Sequence, residues 1–137
     1  MILYNSIDVK IPNFKRRTVT NWIKQVAVSY NKEVGDISYI FCSDEKIIEI
    51  NKEYLSHNYY TDVITFDYSL QNMIEGDIFI SIDTVSSNSI KYNVPFIQEL
   101  NRVMIHAILH LCGMNDHTDV ERKVMTEHEN KALEKLK

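Results

Sequence analysis

Three of the chain's five histidines fall within twelve residues, in the run His106-Ala107-Ile108-Leu109-His110-Leu111-Cys112-Gly113-Met114-Asn115-Asp116-His117. His106 and His110 are four apart. On a helix that spacing stacks two side chains on one face, about 5–6 Å apart at Cβ. Two imidazole nitrogens then converge on one cation, about 2.0–2.1 Å from each. Gly113 lets the chain turn back at once, and His117 then offers a third nitrogen from the loop. The residues around the pair are apolar nearly all round the helix, so two polar rings there need partners. A metal satisfies both together, whereas a pair of hydrogen-bonded core histidines with His117 at the surface is the plainer alternative.

Three neutral imidazoles without a thiolate cluster suit Zn²⁺, with Ni²⁺, Fe²⁺ and Cu²⁺ also compatible. Cys112 falls on another side of the helix end and is left out of the set. Three protein ligands leave a fourth position for water, the arrangement of a catalytic zinc site rather than a closed structural one. A zinc peptidase of the HExxH type needs Glu directly after the first His. Ala107 stands there, so that mechanism lacks its base.

The elements that must position these rings are legible from periodicity. Ile2 to Val9 has the β-branched and aromatic content of a strand. After Pro12, the residues Val19, Trp22, Ile23, Val26, Ala27 and Tyr30 form one helical stripe, which Gly35-Asp36 is expected to break. Ile37 to Cys42 reads as a second strand. Ser43 then caps a helix running to about Tyr54, with Asp44 and Glu45 favouring its dipole. Ser56 to Tyr60 reads as polar loop. Val63 to Tyr68 forms a third strand, and Ile78, Ile80 and Ile82 mark a fourth, joined through Ser69 to Glu75 as an antiparallel hairpin. Thr84 to about Tyr92 is a short helix, and Asn93 and Pro95 mark the start of the next. Ile97, Leu100, Met104, Ala107, Ile108 and Leu111 line one face of that helix. Val103, Ile105 and Leu109 make it apolar elsewhere too, so it is central. Gly113 ends it, and Thr118-Asp119-Val120-Glu121 opens the last helix with a capping box. The order β-α-β-α-β-β-α-α-α describes an α+β domain with one sheet packed on a central helix.

Composition narrows the function classes. The chain has 137 residues, 45% hydrophobic and 25% charged, with 3 Gly and 2 Pro. That is the balance of one folded globular domain, not of a disordered tail. No apolar stretch is long enough to cross a bilayer, and the first residues show no signal peptide. Cys42 and Cys112 form no CxxC pair, which fits a reducing cytoplasm. The net charge of -4 is uneven: residues 1–34 carry six basic and two acidic side chains, residues 35–100 three and eleven, and residues 101–137 six of each. A general polyanion binder is excluded, so any nucleic-acid contact must use a local patch. Lys15-Arg16-Arg17 is the densest basic cluster, with the solvated face of an early helix as the alternative reading.

The run His106 to His117 resembles the signature of the YbeY family of bacterial metal-dependent endoribonucleases of ribosomal RNA maturation, HGxLHLxGYDH, whose three histidines bind zinc. Ile50-Asn51 and Tyr54 match that family's LN-x-x-Y helix end. Thr61-Asp62-Val63-Ile64-Thr65-Phe66 is similar to its TDVLSF strand. Gly76-Asp77-Ile78 with Ser81 matches its GDIxIS strand, and Met125 and Glu129 its M-x-x-x-E. The likeness covers about residues 40–130 in the right order. It departs at Ala107 for Gly, at Met114-Asn115 for a single Tyr, at Thr65 for Ser, and at Leu55, where many members carry an Arg.

The resemblance implies a zincin-like fold: one metal-dependent hydrolase domain over residues 1–137, with a small mixed sheet of about four strands on a central buried helix carrying the HxxxH pair. It implies one Zn²⁺ held by His106, His110 and His117, and no organic cofactor. It also implies single-strand cleavage of ribosomal RNA, small-subunit 3′-end maturation, ribosome quality control, and the small ribosomal subunit as partner. Asp62 and Asp77 are candidates to orient metal-bound imidazoles or, alternatively, to serve strand-end turns. Asp116 is a candidate base, an orienting group, or a plain loop carboxylate. With Leu55 in the Arg position, Lys52, Lys91 and Arg102 are candidates to clamp a phosphodiester. The competing reading is a non-enzymatic ribosome-assembly factor with a structural or vestigial metal.

Overall fold

The computed structural model describes residues 1–55 and 61–136. The loop expected over Ser56 to Tyr60, with His57, Tyr59 and Tyr60, lies outside the described residues. Among the described residues nine elements follow one another: β1 (Ile2–Ser6), α1 (Arg16–Ser29), β2 (Glu33–Cys42), α2 (Asp44–Leu55), β3 (Val63–Asp67), β4 (Met73–Ser81), α3 (Ile82–Lys91), α4 (Phe96–Leu111) and α5 (Asp119–Leu136).

The strands form one sheet in the order β1-β2-β4-β3. β1 and β4 both run parallel to β2, and β3 runs antiparallel to β4. The sheet is therefore mixed, and the expected β3–β4 hairpin is present. Alternation sorts the side chains. Tyr39, Phe41, Ile78 and Ile80 enter the main core with the buried faces of α1, α3, α4 and α5. Ile64, Phe66 and Phe79 face the other way, onto Ile47 and Ile50 of α2. The sheet is thus covered on both faces, as an α+β layer structure requires.

α4 is the axis of the main core. From Glu99 to Leu111 its buried residues point in nearly every direction, and each fully buried Leu, Ile or Met contributes about 1.5–3 kcal/mol. The Tyr39 hydroxyl donates to the Met104 carbonyl at 2.9 Å and ties the central strand to this helix. At Gly76 of β4 an added Cβ would meet the Phe66 carbonyl oxygen at 2.5 Å and Leu111 at 3.3 Å. The missing side chain is what leaves room for the Phe66 carbonyl of β3, with Leu111 of α4 packed beside it.

Three boundaries differ from the periodicity. β1 stops at Ser6 rather than Val9, because the chain enters the left-handed region at Asp8, φ 62°. β2 begins at Glu33, and Gly35-Asp36 lies inside it, where the β2–β4 register slips between Val34 and Ile37. Glycine here marks an irregularity in a strand instead of a break before one. β4 begins at Met73, and Ile82 opens α3, because Ser81 turns the chain by accepting the Thr84 N–H at 3.2 Å. Residues 73–77 carry little strand signal of their own, and the flanking strands β2 and β3 supply their hydrogen bonds. No helix among the described residues is long and apolar enough to cross a membrane.

Candidate metal centre

The last turn of α4 builds the site. Gly113, at φ 104°, takes a conformation that only glycine adopts without strain. The Gly113 N–H bonds to the His110 carbonyl at 2.9 Å and the Met114 N–H to the Leu109 carbonyl at 3.1 Å. This paired closure is a Schellman turn. It folds the chain back so that the Met114 carbonyl lies 2.9 Å from His110 Nδ1, and it sends Asp116 over the histidine pair. Arg122 braces the returning loop. Its Nη1 donates to the His117 carbonyl at 2.9 Å and to the Asp116 carbonyl at 3.5 Å, and its Nη2 donates to the Asp119 carboxylate. Thr118 and Glu121 then exchange two capping bonds of 3.0 Å, the reciprocal box expected at the start of α5.

α5 carries the next component. Met125, Glu129 and Ala132 are its buried residues, so a carboxylate sits on the apolar stripe. Glu129 Oε2 lies 2.6 Å from His106 Nδ1, and its Oε1 accepts from Arg102 Nη1 at 2.9 Å. Arg102 Nη2 continues to Asn130 Oδ1 at 2.7 Å. A carboxylate accepts and a carbonyl accepts, so both Nδ1 atoms carry the proton: His106 gives its own to Glu129, and His110 to Met114. In neutral rings both Nε2 atoms are then bare lone pairs.

Those two Nε2 atoms are 3.0 Å apart. Asp116 Oδ2 lies 3.4 Å from each. Three acceptor atoms thus face one another, and a single proton bridges at most one pair of them. Ligands at bond lengths of about 2.0–2.1 Å occupy tetrahedral corners about 3.3 Å apart, so the triangle has the dimensions of a small divalent cation's face. Among the described residues, His106, His110 and Asp116 form a group whose ligand atoms all lie within 4.8 Å of one another. The donor set fits the metal, and each ring is oriented by a hydrogen bond from its far nitrogen, as in known metal sites.

Burial pulls the His106 pKa down, but the Glu129 hydrogen bond and charge, with Asp116 and Asp62, outweigh it and hold it above its usual value. Asp62 is pushed up by burial, against the pull of His106.

The structure brings Asp116 into the group. His117, expected as the third ligand, lines the same cleft from the next position. Asp116, one position before His117, is the residue whose ligand atom completes the group with His106 and His110. Asp62 lies at the junction of two clefts. One, of about 700 Å³, runs along α4 past Arg102, Arg122, Gln98 and Tyr92. The other, of about 580 Å³, runs between Thr61, Thr65, Asp67 and His117. Both contain Asp62, His106 and Asp116. Asp77 lines neither, and accepts from the Tyr68 hydroxyl at 3.3 Å instead. Arg102 lines the first cleft. Lys91 is exposed beside it, its Nζ 5.5 Å from the Tyr92 ring centre. Lys52 is exposed on α2, and Lys15, Arg16 and Arg17 are exposed at the start of α1; none of these four lines either of the two clefts. The M-x-x-x-E match marks Glu129 without giving it a role at the site, and no motif marks Arg122. A lone carboxylate on the Met125–Ala132 stripe is the signal that points to Glu129.

The chain matches the family described as Endoribonuclease YbeY over residues 2–137. It belongs to the YbeY family. Proteins named Endoribonuclease YbeY from Phocaeicola vulgatus and Bacteroides fragilis are 56% identical over 133 residues and 54% over 132. These alignments cover 97% and 96% of this chain, and 96% and 95% of the relatives. The solution structure of TM1509 from Thermotoga maritima superposes with a TM-score of 0.69 at 25% identity, covering 99% of this chain and 89% of that one. The YbeY relatives are thus matched over nearly their whole length, with the His106–His110 helix included.

Proposed function

We propose that this YbeY-family chain is a zinc-dependent endoribonuclease that hydrolyses phosphodiester bonds in single-stranded ribosomal RNA. It acts in the cytoplasm on the small ribosomal subunit, in 3′-end maturation of its RNA and in ribosome quality control. The observation that carries the chemistry is the triangle of bare acceptors at His106, His110 and Asp116. The RNA substrate is supported by the relatives' shared name and near-complete coverage.

When bound, the metal supplies Lewis-acid polarisation of a phosphoryl oxygen and a lowered pKa for coordinated water. His106 and His110 hold it through Nε2, and the third donor comes from the Asp116-His117 pair, with Asp116 favoured by its distances. Glu129 keeps His106 in the tautomer that presents Nε2, and the Met114 carbonyl does the same for His110. Asp62 stands where the two clefts meet and is the candidate to accept a proton beside the scissile phosphate. The acidic groups Asp62, Glu99, Asp116 and Glu129 outnumber Arg102 and Arg122 in the larger cleft. A phosphodiester is therefore repelled unless a cation offsets them, which ties substrate binding to metal loading. Arg102, held at the cleft wall by Glu129 and Asn130, is the candidate to take the role of the Arg that many members carry where this chain has Leu55.

The test is cleavage of a structured RNA by protein carrying stoichiometric zinc, compared with His110→Ala. Loss of metal and cutting together in the variant supports the hydrolase. A metal-loaded wild type that cuts nothing favours the assembly-factor reading.

A further inference from the structure

The larger cleft leads away from the metal group and ends against Tyr92, beyond anything the cleavage chemistry itself requires. Tyr92 caps the C-terminus of α3, with its N–H on the Asn88 carbonyl at 2.9 Å. Asn93 takes the left-handed conformation at φ 55°. The Asn93 N–H bonds to the Ile90 carbonyl at 3.2 Å and the Val94 N–H to the Ser89 carbonyl at 2.9 Å. This is the same paired closure that ends α4, and Asn is the residue that substitutes best for Gly in it. The turn fixes the Tyr92 backbone and leaves its side chain 57% exposed.

Along α4 the lining residues Gln98, Arg102 and His106 follow one another at four-residue spacing, so Arg102 stands between the Gln98 amide and the metal group, while Asn88, Tyr92 and Val94 come from the end of α3 and the turn after it. Neither amide makes a hydrogen bond with another described side chain, so donor and acceptor remain available on each. An arginine beside the metal group, two amides and an aromatic face are the kinds of group that bind the phosphate and the base of one nucleotide. The volume of about 700 Å³ lies within the range of small-molecule sites. Aromatic faces stack on unpaired bases of any sequence, and amides read base edges.

We propose that the Tyr92 end of this cleft is a nucleoside subsite, which stacks the unpaired base adjoining the cleaved phosphate on Tyr92 and reads its edge with Asn88 and Gln98. The proposal rests on the ribonuclease reading for its substrate class. It adds a base preference that the metal site cannot supply.

The probes are the four nucleoside 5′-monophosphates and inorganic phosphate, titrated into zinc-loaded protein by two-dimensional NMR. The subsite predicts that a nucleotide moves the backbone signals of Tyr92, Asn93 and Val94 and the Gln98 side-chain amide, and that phosphate alone does not. Tyr92→Ala weakens nucleotide binding about tenfold, and Tyr92→Phe stays within about threefold. Gln98→Ala changes the ranking of the four bases. Because Tyr92 is exposed, its truncation leaves the core packed, which the unchanged remainder of the spectrum verifies. Nucleotide shifts identical to those of phosphate, or equal affinity in Tyr92→Ala, overturn the subsite. RNA cleavage by the wild type together with either result overturns the subsite alone. Tyr92-dependent nucleotide binding in a protein that cuts no RNA supports the subsite and removes the hydrolase reading.

Discussion

Glu129 and His106 are joined by a 2.6 Å hydrogen bond between helices 23 residues apart in sequence. The same carboxylate holds Arg102 at 2.9 Å, so one buried side chain links α5, the metal-facing ring and a cleft arginine. Glu129→Gln keeps the shape and removes the charge. It should lower zinc affinity about 10–100-fold, read by competition with a chromogenic chelator. An unchanged affinity would mean that His106 holds its tautomer without Glu129.

The same contact makes the metal-free protein sensitive to pH. His106 is raised in the folded state, so its protonated form stabilises the fold. That contribution is complete below the unfolded histidine pKa of about 6.5 and fades as pH rises through the folded value. Zinc competes with protons for the ring, so zinc affinity runs the other way. Thermal melts of chelator-treated protein from pH 5.5 to 8.5 should show a declining contribution with rising pH. This slope should flatten in Glu129→Gln, and the stabilisation added by zinc should grow with pH.

α5 must stay docked for Glu129 to reach His106, and the anchor is Trp22. Its indole N–H donates to the Ala132 carbonyl at 2.7 Å in a buried setting. Trp22→Phe keeps an aromatic ring and removes the indole donor, while the Ala132 carbonyl keeps its helical partner in α5, so the cost is that of one net hydrogen bond, about 0.5–1.5 kcal/mol. Denaturant unfolding should report that loss, and zinc affinity should fall with it if α5 loosens locally.

Burial pushes the Cys42 thiol up to about 12 and Cys112 to about 11. At pH 8 their thiolate fractions are then about one in ten thousand and one in a thousand, and the thiolate is the reactive form. Iodoacetamide should therefore label neither at an ordinary rate until denaturant is added. Rapid labelling of Cys112 in the folded protein would contradict the raised thiol pKa of its half-buried position at the end of α4.

Much of this site could be read from local spacing. The His106–His110 pair, the Gly113 stop and the Thr118 capping box each depend on residues within one or two turns, and each stands in the fold as the pattern implied. The choice of a third donor is not settled by local spacing. Asp116 and His117 are adjacent in sequence, and which of them faces the pair depends on the Schellman turn and on Arg122 gripping both carbonyls from α5. Gly35-Asp36 was misleading for a similar reason: parallel neighbours on β2 carry the strand through a residue pair that breaks structure elsewhere. Asp77 shares a motif with the family but is turned toward Tyr68, because alternation in β4 sets its face.

The most direct test of the metal centre is zinc stoichiometry by elemental analysis in the wild type, His110→Ala, Asp116→Ala and His117→Ala, after dialysis against a weak chelator. The triangle of Nε2, Nε2 and Oδ2 atoms predicts about one zinc per chain in the wild type and in His117→Ala, and loss in His110→Ala and Asp116→Ala. Full zinc in Asp116→Ala with loss in His117→Ala would contradict it and return the third place to the imidazole.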